Sequence, residues 1–108
     1  MIEVLLQAER ALAVGLVDRA ELLYAQAAAA DPRSSIAVVG LARVALERGD
    51  EPRAWQLAQR ALQIDPENVA AQRLAERLEE IWAFRGQSLP EAAGRLDAID
   101  PLPGRNGP

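Results

Sequence analysis

The sequence predicts an all-α fold, an α-solenoid of stacked antiparallel helix pairs with about six helices, and three observations lead to this prediction. The chain repeats itself at an offset of 34 residues. Half of its 108 residues are apolar but only 4% are aromatic, and much of the apolar content is alanine, the best helix former. No segment shows the sustained Val, Ile and Thr alternation that is typical of a strand.

The repeat relates residues 1–34 to residues 35–68 without a gap, with 12 identities in 34 positions. The identical pairs are Ile2/Ile36, Val4/Val38, Ala8/Ala42, Ala11/Ala45, Leu12/Leu46, Gly15/Gly49, Arg19/Arg53, Ala20/Ala54, Leu23/Leu57, Ala27/Ala61, Asp31/Asp65 and Pro32/Pro66. A fixed period of 34 residues is typical of a helix–turn–helix solenoid unit. We therefore expect one repeat domain over 1–99, with units 1–34 and 35–68, a degenerate unit 69–99, and a tail 100–108.

The first helix of each of these two units has apolar residues at helical spacing and ends at a glycine. Gly15 and Gly49 stand where glycine accepts the left-handed conformation of a helix C-terminus. Asp18 is predicted to cap the second helix of unit one. In unit two, Asp50 is predicted to cap the second helix, and Pro52 suits its first turn.

The second helices carry alanines at matched positions, where a small side chain lets two helices approach closely. These alanines are Ala20, Ala27, Ala54 and Ala61. Asp31-Pro32 and Asp65-Pro66 are predicted to end the second helices, because proline disfavours a helical residue before it. Asn68 is predicted to cap the helix that follows.

The third unit departs from this pattern, as terminal repeats do. A long helix is predicted over 69–85, with an apolar stripe formed by Ala71, Leu74, Ala75, Leu78, Ile81 and Trp82. Phe84 points to another face than Trp82 and is expected to lie under the last helix. After Gly86, Ser88 and Glu91 resemble a capping box for a short helix that ends at Asp100-Pro101. Residues 100–108 are predicted to be disordered.

Gly15, Ala20, Tyr24, Ala27 and Pro32 resemble the signature of the tetratricopeptide repeat (TPR) family. The pattern recurs at Gly49, Ala54, Ala61 and Pro66, and the resemblance covers residues 1–68. The sequence departs from the family pattern in that Val4 and Val38 replace a tryptophan, Gln7 a leucine, and Ala58 an aromatic residue. Trp55 is expected to supply the missing volume. The resemblance implies a shared shape rather than a shared ligand.

The resemblance also implies that the stack curves and that the first helix of each unit lines the concave side. We call ten residues predicted on that side the groove residues: Ile2, Leu5, Glu9, Leu12, Ile36, Val39, Arg43, Leu46, Arg73 and Glu76. For the third unit, this assignment shifts the register by one residue to fit the apolar stripe, which would also add Val69. An apolar trough with a few charges suits a helix or an extended peptide with aliphatic anchors. The alternative is that the aliphatic groove residues belong to the core or to a self-association surface.

Composition excludes several functional classes. The formal charge is −4 and all twelve positive charges are arginine, which disfavours a nucleic-acid partner. Without histidine or cysteine, the chain lacks the commonest general base and the soft metal ligands, so we predict no catalytic residues, no metal site and no cofactor. No apolar run spans a bilayer and no secretory signal is visible, so we expect no membrane contact and a cytoplasmic protein.

The sequence therefore favours a non-catalytic adaptor or scaffold that binds a partner peptide or helix. The alternatives are a homo-oligomerising structural subunit and a helper subunit of a larger bacterial complex that docks through the 100–108 tail. The chain does not fit TPR domains that clamp the C-terminal carboxylate of chaperones. Of the positions that would hold such a clamp, only Arg73 could serve, and Glu9 would repel a carboxylate.

Overall fold

A computed structural model describes residues 2–87 and 89 and places five α-helices in this part of the chain. They are α1 (Ile2–Ala13), α2 (Val17–Ala30), α3 (Ser35–Glu47), α4 (Glu51–Ile64) and α5 (Val69–Phe84). Each helix packs on the next in chain order as antiparallel pairs, which confirms the predicted all-α repeat fold. The predicted short helix after Gly86 and the 100–108 tail fall outside the described residues, apart from Leu89.

The turns within the first two helix pairs have the same backbone geometry. Gly15 and Gly49 have positive φ angles of 84° and 79°, as predicted for left-handed C-terminal positions. In each turn the glycine N–H donates to the carbonyl three residues earlier, over 3.1 Å to Leu12 and 2.9 Å to Leu46. The 34-residue period therefore continues into the backbone hydrogen bonds.

The helix starts agree with the predicted caps at two of three places. The Asp50 carboxylate accepts from the Arg53 N–H over 3.2 Å, and Asn68 caps α5 in the same way. The prediction that Asp18 caps α2 was wrong, because the helix begins at Val17 and its capping position is Leu16. Asp18 instead lies in the first turn, where a negative charge favours the helix dipole, and it accepts a hydrogen bond from Arg48.

The interior consists of two clusters joined across the stack. One contains Ala8, Ala11, Ala20, Leu23, Tyr24 and Val44, and the other surrounds Trp55 and Trp82 in the second and third units. The matched alanines of α2 and α4 are at most 1% exposed, which confirms their predicted role in close helix packing. Because the interior is rich in alanine, the helices come close enough for single atoms to matter.

The closest approach lies between α2 and α3. The ring of Tyr24, which is fully buried, covers Gly40 so closely that a Cβ atom on this glycine would lie 2.2 Å from the ring atom Cε1. Ordinary carbon contacts are about 3.5–4.0 Å. Gly40 is therefore needed for space, since it is the residue that lets unit one pack against unit two at this distance.

A pair of tryptophans connects α4 to α5. The Trp55 and Trp82 rings have centroids 6.4 Å apart and an interplanar angle of 52°, and both residues are at least 95% buried. Trp55 thus fills the space that Ala58 leaves, as predicted. Phe84 is 93% exposed, and its expected cover by the last helix concerns residues outside the described range. None of the helices described is long and apolar enough to cross a membrane.

Candidate functional site

The structure separates the apolar groove residues into three groups by exposure. Ile2 and Ile36 occupy equivalent positions of α1 and α3 and are 70% and 55% exposed. Leu5, Leu12 and Leu46 are half-buried and pack against the core clusters. Val39 is 4% exposed and belongs to the core. Two aliphatic side chains are therefore open to a partner, and three more offer part of their surface.

The charged groove residues of units one and two bind each other. Arg43 donates from Nη1 to both oxygens of Glu9, over 3.1 and 2.9 Å. The hydroxyl of Tyr24 donates to Oε2 of the same carboxylate over 2.6 Å. Because Glu9 and Arg43 are 34 residues apart, the ion pair joins equivalent positions of successive units. The Glu9 carboxylate is satisfied by these two side chains, while Arg43 keeps further N–H groups for another acceptor.

The ionisation of this network is shifted by its surroundings. Burial alone would raise the pKa of Glu9, but the hydrogen bonds from Tyr24 and Arg43 and the charge of Arg43 outweigh it and lower this pKa. Burial, followed by the hydrogen bond to Glu9 and the charge of Glu9, raises the pKa of Tyr24. The network is thus built from a carboxylate, a neutral phenol and a guanidinium.

Acid is expected to weaken this link between units one and two. A carboxylate with a lowered folded-state pKa stabilises the fold above its unfolded pKa of about 4.3 and stops doing so as the pH falls through its folded value. We expect Glu9→Gln to be less stable than the parent at pH 7, by about 1 kcal/mol or less since the pair is half-exposed. The difference should disappear below about pH 4.

Urea unfolding of both proteins across this pH range measures the difference. Glu47→Gln is the matched control, because Glu47 is exposed on α3 and has no ion pair in the part of the chain described. A Glu9→Gln difference that stays constant or grows on acidification would show that the ionised carboxylate does not stabilise the fold.

The third unit follows the same register as the second, without the predicted shift. Ala71 and Leu78 are buried, as are Ala37 and Val44 at the same positions 34 residues earlier. In this register Arg73 is equivalent to Leu5 and Val39, as predicted. The equivalent of Glu9 and Arg43 is Arg77, an exposed residue that the sequence analysis missed. Extending the 34-residue offset unchanged would have found it.

Glu76 falls at a different kind of position in this register. Its equivalents, Ala8 and Ala42, are fully buried, whereas Glu76 is exposed. Glu80 is exposed as well, and Glu79 accepts a 2.8 Å hydrogen bond from the indole of Trp55. Across the described residues, no three acidic side chains come together in an arrangement that could hold a metal ion.

A cleft of about 380 Å³ lies between α2, α3 and the start of α4, away from the groove residues. Its lining includes Glu21, Leu41, Arg48 and Leu57. Arg48 already donates to Glu21 over 2.6 Å as well as to Asp18. The charges of this cleft therefore satisfy one another, and it offers no nucleophile with an adjacent base.

Comparison with known proteins gives one match. A family profile described as tetratricopeptide repeat matches residues 5–69, more than half of the chain. The match covers α1 from Leu5, all of α2, α3 and α4, and the first residue of α5. No curated protein and no solved structure matches the chain.

Proposed function

The chain belongs to the tetratricopeptide repeat family, and we propose that it is a non-catalytic adaptor that binds a peptide or helix of a partner protein across its groove residues. The family is typically non-catalytic and consists of protein-interaction modules, and the matched profile identifies no catalytic domain. The proposal adds the place of binding and the form of the ligand.

The observation that carries the proposal is the exposure of Ile2 and Ile36 at equivalent positions of adjacent first helices. The Glu9–Arg43 ion pair shows that side chains at equivalent positions of α1 and α3 reach each other. Two exposed aliphatic side chains on one face, beside half-buried leucines, offer anchors for a ligand that crosses both helices. Burying each of them would contribute about 1.5–3 kcal/mol before ordering costs.

Self-association through the end of the stack is disfavoured by the surface that α1 presents there. Positions of α3 that pack on unit one become polar and exposed at the equivalent places in α1. The pairs are Ala37/Glu3, Leu41/Gln7 and Val44/Arg10. A second copy that stacked on α1 in the manner of a repeat would bury two charges without partners, which costs several kcal/mol. Sedimentation over a concentration range should therefore give a monomer, and a stable dimer would favour the alternative of a self-assembling subunit.

The groove assignment can be tested by charge substitution at its exposed anchors. We expect Ile2→Glu with Ile36→Glu to reduce capture of the natural partner from a lysate of the source organism by tenfold or more, since each lost anchor exceeds about 1.4 kcal/mol. Helicity should be unchanged, because neither side chain is in the core. Leu12 and Leu46 are unsuitable, because they pack on the core clusters.

The matched control is Val14→Glu with Leu22→Glu. These side chains are 71% and 65% exposed but lie in the α1–α2 turn and on α2, away from the groove residues. The control should retain the same captured protein. If both double variants retain it, or both lose it, the groove assignment is wrong. Deleting residues 100–108 in parallel tests whether a helper subunit docks through its tail.

A further inference from the structure

Three arginines stand on the groove side of the second and third units. Arg43 belongs to α3, and Arg73 and Arg77 belong to α5 one helical turn apart. Arg77 follows Arg43 at the 34-residue offset at which Arg43 follows Glu9. A second ion pair at this offset, between Arg85 and Glu51 over 3.2 Å, shows that the repeat geometry extends through α5. Arg43 and Arg77 are therefore neighbours.

The charges of these arginines are only partly compensated. Within the described residues, Arg73 and Arg77 form no hydrogen bond or ion pair, and Arg43 binds only Glu9. Glu76 and Glu80 follow them at helical spacing, but neither comes within 4.0 Å of a guanidinium. The side chain of Arg43 is 40% exposed, and Arg73 and Arg77 are exposed.

This arrangement runs against the charge of the whole protein, which is −4. An opposite charge at the position of Arg77 would continue the Glu9–Arg43 pattern into the third unit, but a like charge stands there and repels Arg43. An anionic group between the two helices would remove this repulsion and accept hydrogen bonds from more than one guanidinium.

Building on the proposed function, we infer that the partner segment carries aspartate or glutamate side chains that bind Arg43, Arg73 and Arg77, next to aliphatic residues that bind Ile2 and Ile36. The exposed isoleucines beside the arginines favour a peptide over a nucleic acid, because the ligand must be apolar at one end and anionic at the other. Side-chain carboxylates suffice, and a free C-terminus is not required.

Selection from a library of short random peptides, displayed with capped C-termini, tests this inference directly, because the library offers acidic and non-acidic sequences in equal competition. Peptides enriched by the parent protein should contain more Asp and Glu than the starting library and should keep their aliphatic residues. Arg73→Glu with Arg77→Glu should weaken binding of an enriched acidic peptide by about tenfold or more, and high salt should weaken its binding to the parent. Selection on this variant should no longer enrich acidic peptides.

The matched control is Arg10→Glu with Arg19→Glu, which makes the same charge change at exposed arginines of unit one outside the groove residues. It should enrich the same acidic peptides as the parent. The inference is overturned if the parent enriches no acidic residues, if the control loses them equally, or if a single-stranded oligonucleotide binds through Arg73 and Arg77 and displaces the peptides.

Failure of the inference can be told apart from failure of the proposed function by the isoleucines. Enriched peptides without acidic bias that still lose binding in Ile2→Glu with Ile36→Glu would reject the acidic partner and support the groove. Enriched peptides that bind this variant as well as the parent would reject the groove itself. Absence of any enrichment would reject both.

Discussion

Replacing Gly40 with alanine is expected to destabilise the protein by about 2 kcal/mol or more, the range for overpacking a close-packed interior. Alanine would normally stabilise a helix interior relative to glycine by about 1 kcal/mol, so the predicted sign is the reverse of the helix propensity. The reason is the fully buried Tyr24 ring, whose atoms would lie 2.2–2.6 Å from the new Cβ. Since Tyr24 also donates to Glu9, its ring cannot turn away without losing that hydrogen bond.

Urea unfolding followed by circular dichroism measures this effect. Gly49→Ala is the control, because no atom lies within 4 Å of its added Cβ and only its positive φ opposes the change, for about 1 kcal/mol. Combining Gly40→Ala with Tyr24→Leu should cost at least about 1 kcal/mol less than the sum of the single changes, as expected for residues in contact. A stabilising Gly40→Ala would show that α2 and α3 do not approach this closely.

Trp82→Ala is expected to destabilise the protein by about 3–5 kcal/mol and to release α5 from the stack. Trp82 is 5% exposed, packs against Trp55, and donates from its indole nitrogen to Glu51 over 3.0 Å. Removing the ring leaves a cavity at the contact between α4 and α5. It also takes away one of the two donors that Glu51 has in the described structure, the other being Arg85.

Two controls isolate the buried ring. Trp82→Phe keeps most of the apolar surface and loses the hydrogen bond, so it should cost about 1–3 kcal/mol. Phe84→Ala removes an aromatic side chain that is 93% exposed and should stay within about 0.5 kcal/mol of the parent. Trp55 fluorescence and circular dichroism report local and overall unfolding. A Trp82→Ala effect below about 1 kcal/mol would mean that this pair does not hold α5.

Much of the fold was predictable because repeated residues carry it. The 34-residue offset, the glycines at the turns and the Asp-Pro pairs located four helices, and the small alanines located their contacts. The prediction failed at Asp18 because the turn before α2 has no polar capping residue and the helix starts one residue earlier. In unit two the same turn contains Asp50, which does cap its helix, so equal backbone geometry concealed different side-chain chemistry.

The candidate site was predictable only in part. Helical spacing placed Ile2, Ile36 and Arg43 on the first helices, but the exposed fraction of each side chain depends on what its neighbours cover. Val39 has the same spacing as Leu5 and is buried, because α3 lies between two units while α1 lies at one end. Arg77 was missed because the register of α5 was shifted to fit an apolar stripe, and the burial pattern shows that the stripe already fits without a shift.

The sequence by itself determined the helices, their lengths and their order, because these depend on local signals that recur every 34 residues. Only the tertiary structure decided that Glu9 is held by Arg43 and Tyr24, that Gly40 makes room for a ring, and that two isoleucines stay open while a valine at similar spacing is buried. These are properties of pairs of helices at a particular separation. Periodicity along one helix contains the direction of a side chain but not the distance to the next helix.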